Sequence, residues 1–137
     1  GMLFGEAAVI LNPAIKEDFI PLMKQCGSVL AKGRLLGIQF EAMFTNGLYY
    51  RVCKNGISTA MQVKTALQEK GLEFLVNSPT NQQFVIMPRA MYDKISAHFN
   101  VALWENLPDN KVAVRICTSW STSQDAVDKL CKFIKEL

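Results

Sequence analysis

The chain is poor in the residues that most often carry chemistry. Histidine occurs once, at His98, and a lone histidine near a helix end reads as a surface residue rather than a catalyst or ligand. No group of His, Cys, Asp and Glu falls at metal-ligand spacing, so no metal site is assigned. There is no P-loop and no G-x-G-x-x-G turn to cradle a phosphate. Ser119 and Ser121 have no evident His or Asp partner to activate them. The four cysteines, Cys26, Cys53, Cys117 and Cys131, are widely spaced and form no C-x-x-C pair. In a chain of 137 residues, half of them apolar, that pattern reads as buried or free thiols in a reducing compartment such as the cytoplasm, not as a disulfide framework. No apolar run reaches the length of about 20 residues that spans a membrane. Fifteen basic residues against twelve acidic give +3, too mild an excess for a nucleic-acid partner without a basic run. No repeat and no low-complexity stretch is visible.

What remains has globular composition and the length of one domain. Gly1-Met2 reads as a tag residue ahead of an initiator Met. Leu3 to Leu11 is apolar, lacks the basic front of a signal peptide and reads as a buried strand. Asn12-Pro13 is a helix start, with Asn as cap and Pro in the first turn. Ile15, Phe19, Leu22, Met23, Cys26, Val29 and Leu30 follow at helical spacing, and Pro21 predicts a kink or break among them. Lys32-Gly33-Arg34 interrupts. Leu35 to Phe44 carries only Glu41 as a charge and reads as a helix buried on most sides.

After Thr45-Asn46-Gly47, a long helix is marked by Leu48, Val52, Gly56, Ala60, Val63 and Leu67, and it stops near Gly71. The small residues Gly56 and Ala60 predict close packing. The period then shortens. Leu72–Val76 and Gln83–Met87 read as strands joined through Asn77-Ser78-Pro79-Thr80-Asn81-Gln82. Pro88 to His98 reads as a short helix, Val101–Glu105 and Val112–Thr118 as two more strands, and Ala126 to Leu137 as a closing helix. The expected fold is α+β: N-terminal helices, then a small antiparallel sheet packed with helices. The expected organisation is a single domain over 1–137, with a connecting strand and helices over 1–47 and the small α+β part over 48–137.

The clearest stretch is Lys111–Trp120. Val112, Val114 and Ile116 alternate with Ala113, Arg115 and Cys117, as in a half-buried strand. Ser121 to Asp125 opens the last helix, and Thr122 with Asp125 resembles a capping box. The strand carries one charge, Arg115. Such an arginine is either a charge on the wet face of a sheet or a guanidinium fork aimed at a carboxylate or phosphate.

Four strings occur in order: Leu3-Phe4-Gly5-Glu6-Ala7, Ala31-Lys32-Gly33-Arg34-Leu35-Leu36-Gly37-Ile38-Gln39-Phe40, Asn77-Ser78-Pro79-Thr80-Asn81-Gln82-Gln83-Phe84 and Val114-Arg115-Ile116-Cys117-Thr118-Ser119-Trp120. Together they resemble the C-terminal part of the threonine aldolase/β-eliminating lyase family, from Met2 to the end. The resemblance implies the small domain of a fold-type I pyridoxal-phosphate enzyme. It implies retro-aldol cleavage of β-hydroxy amino acids to glycine and an aldehyde in the intact family, with pyridoxal phosphate as electron sink.

The family's Schiff-base lysine lies just ahead of the string that matches Leu3 to Ala7. The resemblance therefore implies that this lysine and the large cofactor-binding domain are absent here, that no residue of this chain is catalytic, and that the chain alone binds no cofactor. It matches Arg115 to the arginine that grips the substrate α-carboxylate. It matches Arg34, more loosely, to an arginine near the cofactor phosphate; a solvent arginine at a helix start is the other reading. Two functions stay open: a C-terminal domain of an aldolase-like lyase, inactive alone, or a non-catalytic module. The module would pair with itself or with a separately encoded large domain, and a homo-oligomer is expected. An independent enzyme has no nucleophile and base to support it.

Overall fold

The computed structural model describes residues 2–5 and 7–137. They form two compact units, one running to Tyr49 and one from Tyr50 to Leu137.

The first unit is made of short helices. α1 (Pro13–Lys16) starts as its sequence predicts: the Asn12 side chain accepts a hydrogen bond from the Ala14 amide at 3.0 Å, and Pro13 sits in the first turn. The break comes earlier than expected. α1 ends before Glu17, Asp18 adopts left-handed φ of 56°, and α2 (Phe19–Gln25) begins beyond it. Pro21 thus falls in the first turn of α2, where the backbone donor it lacks has no partner to lose. α3 (Arg34–Phe44) follows, and a 3-10 turn over Thr45–Gly47 closes the unit, with Asn46 and Gly47 both at positive φ.

Two expectations are corrected here. The described residues of the apolar stretch 3–11 form no strand, and Leu3, Val9 and Leu11 are exposed; Glu6 lies outside the described residues. Among the described residues the four strands pair only with one another, so the stretch has none of the ladder that a strand requires. α3 is not buried on most sides either. None of its residues is buried, and Leu35, Ile38 and Phe44 face solvent. Gln39 on α3 does tie the opening residues down: its Oε1 accepts from the amides of Leu3 and Phe4 at 2.8 and 3.2 Å.

The second unit holds the core. α4 (Leu48–Glu69) buries Gly56, Thr59, Ala60, Val63, Ala66 and Leu67. β1 (Glu73–Val76) and β2 (Gln82–Pro88) form the expected hairpin, α5 (Arg89–Ser96) follows, and β3 (Ala102–Leu107), β4 (Lys111–Cys117) and α6 (Gln124–Glu136) complete the chain. The sheet is antiparallel throughout, in the order β1-β2-β4-β3. Period-two alternation gives it two faces. Val85 and Met87 of β2 and Val112, Val114 and Ile116 of β4 pack against Val63 and Leu67 of α4, Ile95 of α5, and Val127, Leu130 and Ile134 of α6. This is the α+β architecture expected from the sequence. All the helical partners in that cluster lie on one face, so Phe84, Ile86, Ala113, Arg115 and Cys117 belong to the opposite face.

The start of α6 is also corrected. Ser123, not Thr122, is its cap: the Ser123 hydroxyl accepts from the Ala126 amide at 3.2 Å. Thr122 Oγ1 instead accepts from the Ser119 amide at 2.8 Å, folding the turn that leaves β4. Among the described residues no helix is long and apolar enough to cross a membrane.

Candidate functional site

The hydrogen-bond ladder of the sheet decides what surrounds Arg115. Its register partners are Phe84 on β2 and Ala102 on β3. β3 does not run past β4 evenly. Leu103 pairs with Val114 and Glu105 with Ala113, so Trp104 is the extra residue of a bulge. Bulges turn a side chain away from the regular pleat. Here the indole lies against the guanidinium, with Arg115 Cζ 5.2 Å from the ring centroid. The indole also meets the Phe84 ring edge-on, at 5.1 Å and 76°.

Arg115 is half-buried beneath this pair. Its Nε is enclosed and has no hydrogen-bond partner. Its two terminal nitrogens take no partner among the described residues either, and neither is enclosed. A guanidinium is permanently charged and carries five donors in a fixed plane. A strand arginine whose end is unpaired, whose stem is packed and whose charged centre lies over an aromatic ring is suited to receive a planar anion with two acceptor oxygens.

A polar network holds the ends of β2 and β4 to α4. Thr118, the residue after β4, donates from Oγ1 to the carbonyl of Gly56 on α4. The Asn81 side chain donates to the Thr118 carbonyl at 2.7 Å, and the Thr118 amide donates to the Asn81 carbonyl at 3.0 Å. Asn55, one residue before Gly56, donates from Nδ2 to the carbonyls of Ser119, Trp120 and Thr122 at 3.2, 3.2 and 3.0 Å. Lys64 Nζ donates to Asn77 Oδ1 at 2.6 Å and to the Ser78 carbonyl at 3.0 Å. The Asn77–Gln82 string is thus bound both to α4 and to the end of β4. A Cβ built at Gly56 would lie 3.4 Å from the Ser119 carbonyl carbon, an ordinary contact, so α4 and this turn meet closely without requiring glycine.

Arg34 is the first residue of α3, in the other unit. It is exposed and takes no side-chain partner among the described residues. His98 is exposed and rests edge-on against Phe133 at 5.2 Å. None of the cysteines is paired. Burial pushes the Cys131 thiol above its ordinary range, and the nearby Asp128 carboxylate pushes it further. No cluster that could hold a metal occurs among the described residues. A cleft of about 270 Å³ between Lys70, Leu72, Pro88, Met91, Lys94 and Leu137 includes neither Arg115 nor Trp104. Sequence patterning does not single out Trp104 or Asn55. The first becomes significant only through a bulge and the second through a loop more than sixty positions away.

No protein-family model and no curated protein matches the chain. Among solved structures it superposes on a threonine aldolase of Leishmania major with a TM-score of 0.82 and 32% identity, covering 93% of this chain and 37% of that one. It also superposes on an 8-amino-7-oxononanoate synthase of Francisella tularensis, with a TM-score of 0.63 and 13% identity, covering 91% of this chain and 39% of that one. The second likeness is one of fold alone. The chain therefore spans little more than a third of the length of either structure, and over nearly all of its own length it is similar to a threonine aldolase.

Proposed function

We propose that these 137 residues are the C-terminal part of a threonine aldolase-like lyase, and that within it Arg115 holds the α-carboxylate of a β-hydroxy amino acid. The likeness to the Leishmania major enzyme at a TM-score of 0.82 carries this reading. The unpaired end of the Arg115 guanidinium supports the residue's role. Two parallel charge-assisted hydrogen bonds fix the carboxylate plane, and with it the rotation of the substrate about its Cα. The strand that carries Arg115 is central in the sheet and anchored through Thr118, so the fork is presented from a rigid element.

In the intact lyase, pyridoxal phosphate supplies the electron sink for cleavage of the Cα–Cβ bond to glycine and an aldehyde. In that lyase the resemblance gives Arg34, the exposed first residue of α3, to a phosphate oxygen of the cofactor; a solvent arginine at a helix start is the other reading. No lysine of this chain takes the place of the family's Schiff-base lysine. We therefore assign no catalytic residue here and read the chain as inactive alone. A non-catalytic module is the alternative. On either reading the chain works in a reducing compartment, the cytoplasm, and associates as a homo-oligomer; the non-catalytic module alone would take a separately encoded large domain as partner.

The test is turnover. The purified chain, given pyridoxal phosphate and threonine or allo-threonine, should release no aldehyde, and borohydride reduction followed by peptide mapping should label no single lysine stoichiometrically. One stoichiometrically labelled lysine together with turnover would overturn the reading.

A further inference from the structure

The bulge that lifts Trp104 out of register has a consequence for how Arg115 binds. A guanidinium takes a carboxylate bidentately either along its side, through Nε and one terminal nitrogen, or end-on, through both terminal nitrogens. Arg115 Nε is enclosed and unpartnered, so the side approach, which needs Nε, is closed in this conformation. The end is open. The indole face lies 5.2 Å from Cζ, within the range of a cation–π contact. The indole is itself braced edge-on by Phe84, the register partner of Arg115.

We propose that Trp104 is a positioning residue for Arg115: its ring holds the guanidinium in the orientation in which Nε is enclosed and the end is open, so that a carboxylate is taken end-on. This rests on the reading of Arg115 as a carboxylate-binding residue and specifies its geometry. Trp104 acts through Arg115 and needs no contact with the ligand. It is half exposed on β3, which lies at the edge of the sheet, so its replacement leaves the core of α4, β2, β4 and α6 untouched.

The experiment uses the whole chain, labelled with 15N. Arginine side-chain N–H signals are followed, with Arg115 assigned by the signal lost in Arg115→Lys. Acetate is the probe, and chloride at equal ionic strength is the control. Two substitutions separate the π-face from mere bulk: Trp104→Phe keeps an aromatic face, and Trp104→Leu keeps apolar cover without one. In the unsubstituted chain, the Arg115 Nε–H should exchange with water at least tenfold more slowly than that of exposed Arg34. Acetate should shift the terminal N–H signals of Arg115 saturably and leave Nε nearly still. Trp104→Leu should weaken acetate binding several-fold and bring the Nε–H signal into the titration. Trp104→Phe should retain most of both properties.

Equal acetate affinity and an unmoved Nε signal in Trp104→Leu would overturn the positioning role while leaving Arg115 as a carboxylate site. The opposite failure is also distinct. If acetate produces no saturable shift, yet Nε–H exchange is slow and Trp104→Leu accelerates it, then Trp104 holds the guanidinium and the carboxylate reading falls.

Discussion

Asn55→Asp keeps the shape of the side chain and replaces its donor by a second acceptor. In the native protein Nδ2 lies 3.2, 3.2 and 3.0 Å from the carbonyl oxygens of Ser119, Trp120 and Thr122. Two N–H groups thus serve three acceptors, and all three belong to the turn between β4 and α6. Each such bond contributes about 1 kcal/mol net, so their loss costs about 2 kcal/mol. The introduced carboxylate adds repulsion against three carbonyl dipoles, which brings the deficit to about 3 kcal/mol at neutral pH. Asn55→Ala removes the bonds without the repulsion and should lose less.

The sign with pH follows from the same geometry. A carboxyl surrounded by carbonyl oxygens is easier to protonate in the folded state than in the unfolded chain, where its pKa is about 3.9. The deficit of Asn55→Asp is therefore full at neutral pH. It shrinks as pH falls through the raised folded pKa, because the protonated carboxyl is again a donor. Urea unfolding of the unsubstituted chain and both variants, at pH 7 and near pH 4, gives the differences directly. A variant as stable as the parent at neutral pH, or a deficit that widens on acidification, would refute the role given to Asn55.

Three further outcomes are expected. Gly56 is helical, and a methyl added there would make ordinary contact at 3.4 Å with Ser119, so Gly56→Ala should raise the Tm by about 3–6 °C through helix propensity; Gly56→Leu, which must push the turn aside, should lower it. In alkylation with iodoacetamide near pH 8, exposed Cys26 and Cys117 should react several-fold faster than Cys131, whose thiol burial holds protonated and whose Sγ lies 3.9 Å from the Gln62 carbonyl. Raising the pH should narrow that gap, and equal rates at pH 8 would contradict it. Ile20, Leu22, Leu35 and Phe44 are more than half exposed in the first unit, so light scattering should find a dimer or larger assembly at high protein concentration; a monomer there would count against self-association.

Local chemistry is legible where a residue's neighbours in sequence are its neighbours in space. Asn12-Pro13 sets the start of α1, the alternation of Lys111–Cys117 marks β4, and Gly71 closes α4 through left-handed φ of 78°. Sequence and structure part where a nearer competitor exists. Pro21 has the pattern of a breaker, but the chain has already turned at Asp18 and leaves the proline in a harmless first turn. Thr122 has the spacing of a cap, but its hydroxyl is taken by the Ser119 amide and Ser123 caps instead. The apolar composition of α3 suggests burial, whereas composition reports a tendency to be covered and not what covers it.

At the site, Arg115 stands out as the one charge in the interior of its strand. What frames it does not. The Trp104 contact requires knowing that β3 lies beside β4 and that the register slips between Leu103 and Glu105. Neither fact is encoded in period or spacing. The enclosure of Nε is likewise a property of the folded chain and of no single segment.

The central claim is that Arg115 grips a substrate carboxylate in an aldolase-type site. Its most direct test is a chimera in which this chain replaces the matching part of the Leishmania major threonine aldolase, compared with the same chimera carrying Arg115→Lys. Lysine keeps the charge and loses the planar fork. Loss of a charged hydrogen-bonding pair costs about 1.5–3 kcal/mol, so kcat/KM for threonine should fall roughly tenfold to a hundredfold, with the Tm of the isolated chain barely changed. An undiminished kcat/KM, together with a Tm lowered by several degrees, would make Arg115 a structural residue and contradict the account.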